Sequence, residues 1–228
     1  VLRTNLEFTI GTHPEQNVIL FTSFNPGSGK SHLSANMAMS LAIKKKKVLL
    51  IDGDLRRGVT SLLAGSPREG LSDFLNGRVD DIHSIICKGE NCKDLVPGFD
   101  VLPVGTLPPN PTELLFTPRL EAMIKQVRQV YDYVIIDCPP IEVVADTQIL
   151  EQFADRTIFV VRAGLMERSM LPEIDALYKE KKFKNMTRIL NGTKARGGRY
   201  GSHYGYGYGY GYGYGYNYNK EKNGGAKS

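Results

Sequence analysis

The chain has no tryptophan and only three cysteines, Cys87, Cys92 and Cys138, and no pair of histidines stands at ligand spacing with them. So sparse a set excludes a Cys/His metal centre and forms no plausible disulfide framework, which makes a reducing cytosol the expected compartment. Long apolar runs are missing too. Nothing approaches the roughly 18 residues that a transmembrane helix needs, and no signal peptide is visible. This piece is therefore expected to be soluble. It begins abruptly at Val1, in a stretch to Ile10 patterned like an amphipathic helix but lacking a Met or an N-cap, which reads as a boundary within a longer protein. Acidic residues are outnumbered, 24 against 29 Lys and Arg, for a net charge of +5. Such a balance suits nucleic acid or an anionic membrane surface, but much of it is local. Lys44 to Lys47 end a predicted helix, where cations meet the macrodipole. Lys194, Arg196, Arg199, Lys220, Lys222 and Lys227 lie in or beside the C-terminal tail. No nucleic-acid partner is expected on this ground.

What the chain does contain is concentrated at Val18–Ser31, reading V-I-L-F-T-S-F-N-P-G-S-G-K-S. The β-branched run Val18–Phe21 predicts a buried parallel strand, and apolar spacing over Ser31–Ile43 predicts a helix. A Gly-rich loop between a strand and a helix turns backbone amides and a helix N-terminus toward one point, where nucleotide phosphates sit. Asn25, Pro26, Gly27, Ser28, Gly29, Lys30, Ser31 and His32 are the candidate cradle for ATP. Lys30 places a mobile positive charge on the phosphates, and Ser31 offers a hydroxyl to Mg²⁺. Phe24 occupies the position where the strict motif has Gly.

Further strands are expected at Lys47–Asp52, Asp94–Val96, Val101–Val104, Tyr133–Asp137, Arg156–Val161 and Arg188–Asn191. Helical segments are expected at Gly70–Gly77, Thr117–Val130, from Thr147, and at Pro172–Lys181, with a break at Pro108–Pro111. Strands alternating with helices predict an α/β P-loop NTPase fold, a mostly parallel doubly wound sheet covered by helices on both faces. Two strands end in carboxylates at the edge where such sheets bind ligands: V-L-L-I-D-G-D supplies Asp52 and Asp54, and Y-V-I-I-D-C-P-P supplies Asp137. Asp137 is expected to orient a water on Mg²⁺, Asp54 to stand behind the metal's ligands, and Asp52 to face the γ-phosphate. From about Gly197 only Gly, Tyr and polar residues remain, so the domain is read as 1–196 and 197–228 as a flexible tail. Nine of the 12 tyrosines fall there: Tyr200, Tyr204, Tyr206, Tyr208, Tyr210, Tyr212, Tyr214, Tyr216 and Tyr218.

These motifs resemble the cytoplasmic kinase domain of bacterial tyrosine kinases, the polysaccharide co-polymerase family typified by Wzc-like proteins. The resemblance rests on S-F-N-P-G-S-G-K-S as Walker A, I-D-G-D-L-R-R as Walker A′ and I-I-D-C-P-P as Walker B. G-L-S-D-F-L-N-G, L-P-P-N-P-T-E-L-L, V-V-R-A-G and the tyrosine cluster add to it. It implies ATP- and Mg²⁺-dependent autophosphorylation of the tail tyrosines between subunits of a ring, an octamer in the family. Lys30, Asp52 and Asp54 would be the catalytic residues, and Ser31, Asp54 and Asp137 the metal-holding ones. It also implies a link to capsule or exopolysaccharide assembly, an upstream transmembrane co-polymerase region, a place on the cytoplasmic side of an inner membrane, and a tyrosine phosphatase as partner. The family's ring motif E-x-x-R-x-x-R survives as its last arginine, Arg3; Gly58 replaces the usual Pro after Walker A′, and His32 the usual Thr after Walker A. Two other readings stay open. One is a switching ATPase that binds DNA or membrane without kinase activity; the other is an adhesive Gly-Tyr tract on a body that only hydrolyses ATP.

Overall fold

The computed structural model describes residues 4, 15–92, 95–141 and 145–193. The expected helix at Val1–Ile10 except for Thr4, together with Arg3, Asp94 and all nine tail tyrosines, lies outside the described residues. Six strands form one parallel sheet: β1 (Val18–Ser23), β2 (Val48–Asp52), β3 (Phe99–Leu102), β4 (Tyr133–Asp137), β5 (Arg156–Arg162) and β6 (Thr187–Asn191). Their spatial order is β3-β2-β4-β1-β5-β6. The helices are α1 (Lys30–Ala42), α2 (Leu71–Leu75), α3 (Pro111–Leu115), α4 (Pro118–Val130), α5 (Asp146–Glu151) and α6 (Leu171–Lys179).

Strands β1, β2 and β4 are apolar on consecutive residues because both faces of the sheet are covered. Alternate side chains enter opposite cores. Ile19, Phe21, Leu50 and Ile135 meet Met37, Ala38 and Leu41 of α1. Leu20, Leu49, Ile51, Val134 and Ile136 meet Leu120, Met123, Ile124 and Val127 of α4 on the other side. Each helix buries one stripe, and the intervening positions are solvated. Helices α3, α4 and α6 each begin with a proline in their first turn, where its missing N–H costs nothing.

The doubly wound parallel architecture matches the expectation, with differences in detail. The strand expected at Val101–Val104 runs instead over Phe99–Leu102, pairing Val48 with Phe99 and Ile51 with Leu102. Pro103 has no N–H to continue a ladder, and the carbonyls of Pro103 and Val104 accept from Leu71 and Ser72 of α2 at 2.8 and 2.9 Å. Leu95 and Val96 are not a strand; the Leu95 N–H donates to Cys92 and the Val96 carbonyl accepts from Phe99, closing turns. The cysteines are also corrected: a disulfide joins Cys87 and Cys92, and Cys138 is free and buried. Spacing alone did not reveal that the chain doubles back between them, with Asn91 N–H donating to the Lys88 carbonyl and Gly89 N–H to Asp100. The break at Pro108–Pro111 leads directly into α3.

The G-L-S-D segment locks the chain leaving β3. Asp73 accepts from the N–H groups of Gly70 and Thr106 at 3.2 and 3.1 Å. A Cβ on Gly70 would stand 2.4 Å from both the Pro103 carbonyl oxygen and the Gly105 nitrogen, backbone atoms that cannot turn aside. Gly70→Ala is therefore expected to cost about 1–3 kcal/mol, the usual range for overpacking. Urea denaturation should show a lower midpoint with an unchanged slope.

Candidate nucleotide and phosphoryl-transfer site

β1 ends at Ser23 and α1 begins at Lys30, so the intervening loop sits at the C-terminal edge of the sheet. Phe24 is 8% exposed and packs with Phe159, Ile174, Phe183 and Met186, which explains a large apolar residue where the motif has Gly. Beyond it the loop's carbonyls are held from behind. Ser23 and Ser28 hydroxyls both donate to the Asn25 carbonyl, at 2.9 and 2.8 Å. Arg162, ending β5, donates to the Gly27 carbonyl at 2.7 Å, and Asn191, ending β6, donates to the Ser28 carbonyl at 3.0 Å. Gly29 has φ 89°, which calls for glycine, and a Cβ there would also displace Asn191 Nδ2, 2.4 Å away, from its bond to the loop. Among the described residues, nothing accepts from the N–H groups of Gly27 to Ser31.

The carboxylates arrive from two neighbouring strands. Asp52 and Asp137 are register partners at the ends of β2 and β4, and the Gly53 N–H donates to the Asp137 carbonyl at 2.9 Å. Asp137 is fully buried, and among the described residues no donor stands within hydrogen-bond distance of either carboxylate oxygen, although Lys30 and the Ser31 hydroxyl are close by. Lys30 Nζ stands 3.8 Å from Oδ1 and donates to the Ser31 hydroxyl at 3.2 Å. Burial pushes the Asp137 carboxyl up to about 7, against the opposing pull of Lys30 and the Ser31 hydroxyl and with some help from the Asp52 and Asp54 charges. Asp54 is buried, and its carboxylate accepts from the Arg56 N–H at 3.3 Å.

Asp52, expected to face the γ-phosphate, is held by donors of the protein itself. One oxygen accepts from both the N–H and the hydroxyl of Ser61 at 2.7 Å, and the other from the Asp54 N–H at 3.3 Å. Burial raises its pKa despite those bonds. The Ser61 bonds occupy Oδ2 and leave Oδ1 room for a further donor. Sequence reasoning missed Ser61, Arg162 and Asn191 as parts of this assembly. Arg162 stood inside a quoted motif, but only the strand order shows that β5 and β6 end behind the loop.

The residues present fit a metal-bound nucleotide. Among the described residues, a buried carboxylate with no donor at hydrogen-bond distance lies near a lysine and a serine hydroxyl, beside a row of backbone N–H groups without acceptors. Anionic phosphate would take the N–H groups, and a hard cation would take the oxygens.

A family model described as an AAA domain matches residues 16–180. The chain is 35% identical over 204 residues to the tyrosine-protein kinase CpsD of Streptococcus agalactiae, covering 89% of this chain and 85% of that one. The solved kinase domain of the Escherichia coli tyrosine kinase ETK superposes with a TM-score of 0.75 at 33% identity, covering 91% of this chain and 78% of that one. This chain belongs to the bacterial tyrosine kinases. It is also 37% identical to the putative tyrosine-protein kinase AmsA of Erwinia amylovora over 78% of its length, and there it spans only 23% of the relative. These likenesses support the kinase reading over the switching ATPase, and the P-loop fold carries nucleotide binding with it. Among the described residues no helix is long and apolar enough to cross a membrane.

The tyrosine-kinase domain should register the state of Asp137 in its stability. A carboxyl at about 7 in the folded protein and about 3.9 unfolded binds more protons when folded. Its favourable contribution is complete below the unfolded value and is lost as pH rises through the folded one. Without nucleotide or Mg²⁺, Asp137→Asn is therefore expected to melt above the wild type at pH 8, with the difference vanishing near pH 4. Differential scanning calorimetry across that range checks it.

Proposed function

We propose that this domain binds ATP with Mg²⁺ and transfers the γ-phosphoryl group to tyrosines of the C-terminal tail. The observation that carries the proposal is the buried Asp137, with no donor at hydrogen-bond distance among the described residues, near Lys30 and Ser31 at the phosphate loop. Asn25, Pro26, Gly27, Ser28, Gly29, Lys30, Ser31 and His32 form the nucleotide cradle. Ser31, Asp54 and Asp137 hold Mg²⁺, which when bound neutralises phosphate charge. The phenolic oxygen attacks the γ-phosphorus, the bond to the leaving ADP oxygen breaks, and Lys30 with the loop N–H groups stabilises charge on the transferring group. A phenol of pKa about 10 is not deprotonated beforehand by a carboxylate, so Asp52 orients it and accepts its proton late in the transfer. Its burial-raised pKa suits that task, and its Oδ1 has room to accept the proton.

The acceptors are Tyr200, Tyr204, Tyr206, Tyr208, Tyr210, Tyr212, Tyr214, Tyr216 and Tyr218, in a tail set apart from the domain near residue 197. A flexible segment of that kind reaches roughly 26 Å on average and at most roughly 70 Å. Several tyrosines can thus visit one site, in the same subunit or in a neighbouring one. We place the domain in a homo-oligomeric ring, an octamer by family resemblance, with Arg3 at the interface. The ring would lie on the cytoplasmic side of an inner membrane, beneath a transmembrane co-polymerase region, with a tyrosine phosphatase resetting it. In this role it would regulate capsular or exopolysaccharide synthesis and export.

Incubation with Mg²⁺ and ATP, followed by intact mass and tail-peptide mapping, is expected to show several phosphates on Tyr200–Tyr218 in the wild type. Lys30→Met should reduce incorporation at least about a hundredfold, the scale of losing one charge-stabilising group. ADP release without any protein adduct would overturn the kinase reading. Each phosphate adds about −1.5 to −2 of charge, so full phosphorylation is expected to shift an assembled ring toward smaller species in light scattering. An unchanged mass would refute that coupling.

A further inference from the structure

The L-P-P-N-P-T-E-L-L segment has no task in the reaction as described, yet it is wired to the site. Arg56, in the Walker A′ loop, donates from Nε to Asp146 Oδ2 at 3.1 Å and from Nη2 to the Thr112 hydroxyl at 2.9 Å. That hydroxyl donates in turn to Asp146 Oδ1 at 2.5 Å, closing a triangle. Its three corners come from the loop after β2, from α3 and from the start of α5. Asp146 is fully buried, so both of its oxygens are taken up inside the protein by these two partners.

The triangle bears on the metal side of the site through the backbone of Arg56. The N–H of Arg56 donates to the Asp54 carboxylate at 3.3 Å. The N–H groups of Arg57 and Gly58 donate to the Asp54 carbonyl at 3.1 and 2.9 Å. Fixing the Arg56 guanidinium therefore fixes the turn that orients the Asp54 carboxylate. The phosphate loop depends on none of this: its carbonyls are held by Arg162 and Asn191, from the opposite side of the sheet order. Thr112 is itself on a segment tied down at its other end, where Asp73 accepts from Thr106 N–H and the Thr106 hydroxyl donates to the Arg68 carbonyl.

We propose that Thr112 and Asp146 are positioning residues for the metal half of the site: through Arg56 they set the Asp54 carboxylate, and they leave the phosphate loop alone. This rests on the reading above only in taking Asp54 as a residue that holds Mg²⁺. The positioning is geometric: although the Arg56 side chain is 40% exposed, its planar guanidinium is bonded at Nε and Nη2, which favours one orientation. Neither residue belongs to the phosphate loop or to the residues proposed to hold Mg²⁺.

The test uses the full chain and a fluorescent ADP analogue, titrated without metal and then at increasing Mg²⁺. Thr112→Val keeps the shape and removes the hydroxyl, and Thr112→Ser restores it. Thr112→Val is expected to raise the Mg²⁺ concentration for half-maximal tightening about tenfold, the scale of a lost hydrogen bond to a charged group. Metal-free affinity should stay within about twofold, because that binding uses the loop alone. Thr112→Ser should follow the wild type. Hydrogen exchange of the free protein should show faster exchange over residues 54–58 in Thr112→Val only. Equal loss of affinity with and without Mg²⁺, or no change in the Mg²⁺ midpoint, overturns the proposal by making the triangle merely structural. So does wild-type binding that ignores Mg²⁺. Failure of tail phosphorylation in the mass assay, with this Mg²⁺ shift intact, would sink the kinase reading and leave the positioning role standing.

Discussion

The site depends on β4 lying between β1 and β2 in parallel register. That pairing sets Asp137 beside Asp52 on one side and beside Phe21, three residues before the phosphate loop, on the other. In a parallel sheet all strands end at one edge, so a carboxylate closing β4 meets whatever closes its neighbours. The pairing is held in turn by apolar side chains on both faces, and a slip of one residue would exchange the two cores. Chemistry at the edge is thus secured by packing well away from it.

Much of this was legible in the chain itself. Val18–Phe21, Val48–Asp52 and Tyr133–Asp137 are apolar without interruption and short, as strands covered on both faces must be, and the loop and carboxylates follow them directly. The strand expected at Val101–Val104 was displaced because its limits are set by Pro103 and by bonds to α2, which are long-range facts. The disulfide between Cys87 and Cys92 was misjudged for a similar reason: counting cysteines says nothing about a chain that folds back between two of them. Arg162 and Asn191 lie far from the loop in sequence and reach it only through the strand order. Asp146, just before the helix expected from Thr147, carries no motif that sets it apart.

The three carboxylates at the edge are not alike, and the difference follows from what surrounds each. Asp52 accepts from Ser61 twice and from the Asp54 N–H, Asp54 is steadied by the turn that follows it, and Asp137 has no donor at hydrogen-bond distance among the described residues. The protein thereby concentrates its unmet electrostatic demand at one point beside Lys30 and Ser31. A buried carboxylate in that condition is costly to the folded state, and a ligand that satisfies it recovers that cost on binding.

Phe24 gives the phosphate loop a different mechanical character from a loop that opens on glycine. With its ring seated among Phe159, Ile174, Phe183 and Met186, the first turn of the loop is bolted to the same small core that supports β5 and α6. Since β5 also supplies Arg162, the strand grips the loop at its root and at its crest. A cradle so mounted has little shape to lose when empty, so the protein gives up little freedom when phosphate arrives. Any movement of β5 or α6 would carry the cradle with it, making that outer edge of the sheet a lever on how fast spent nucleotide can leave.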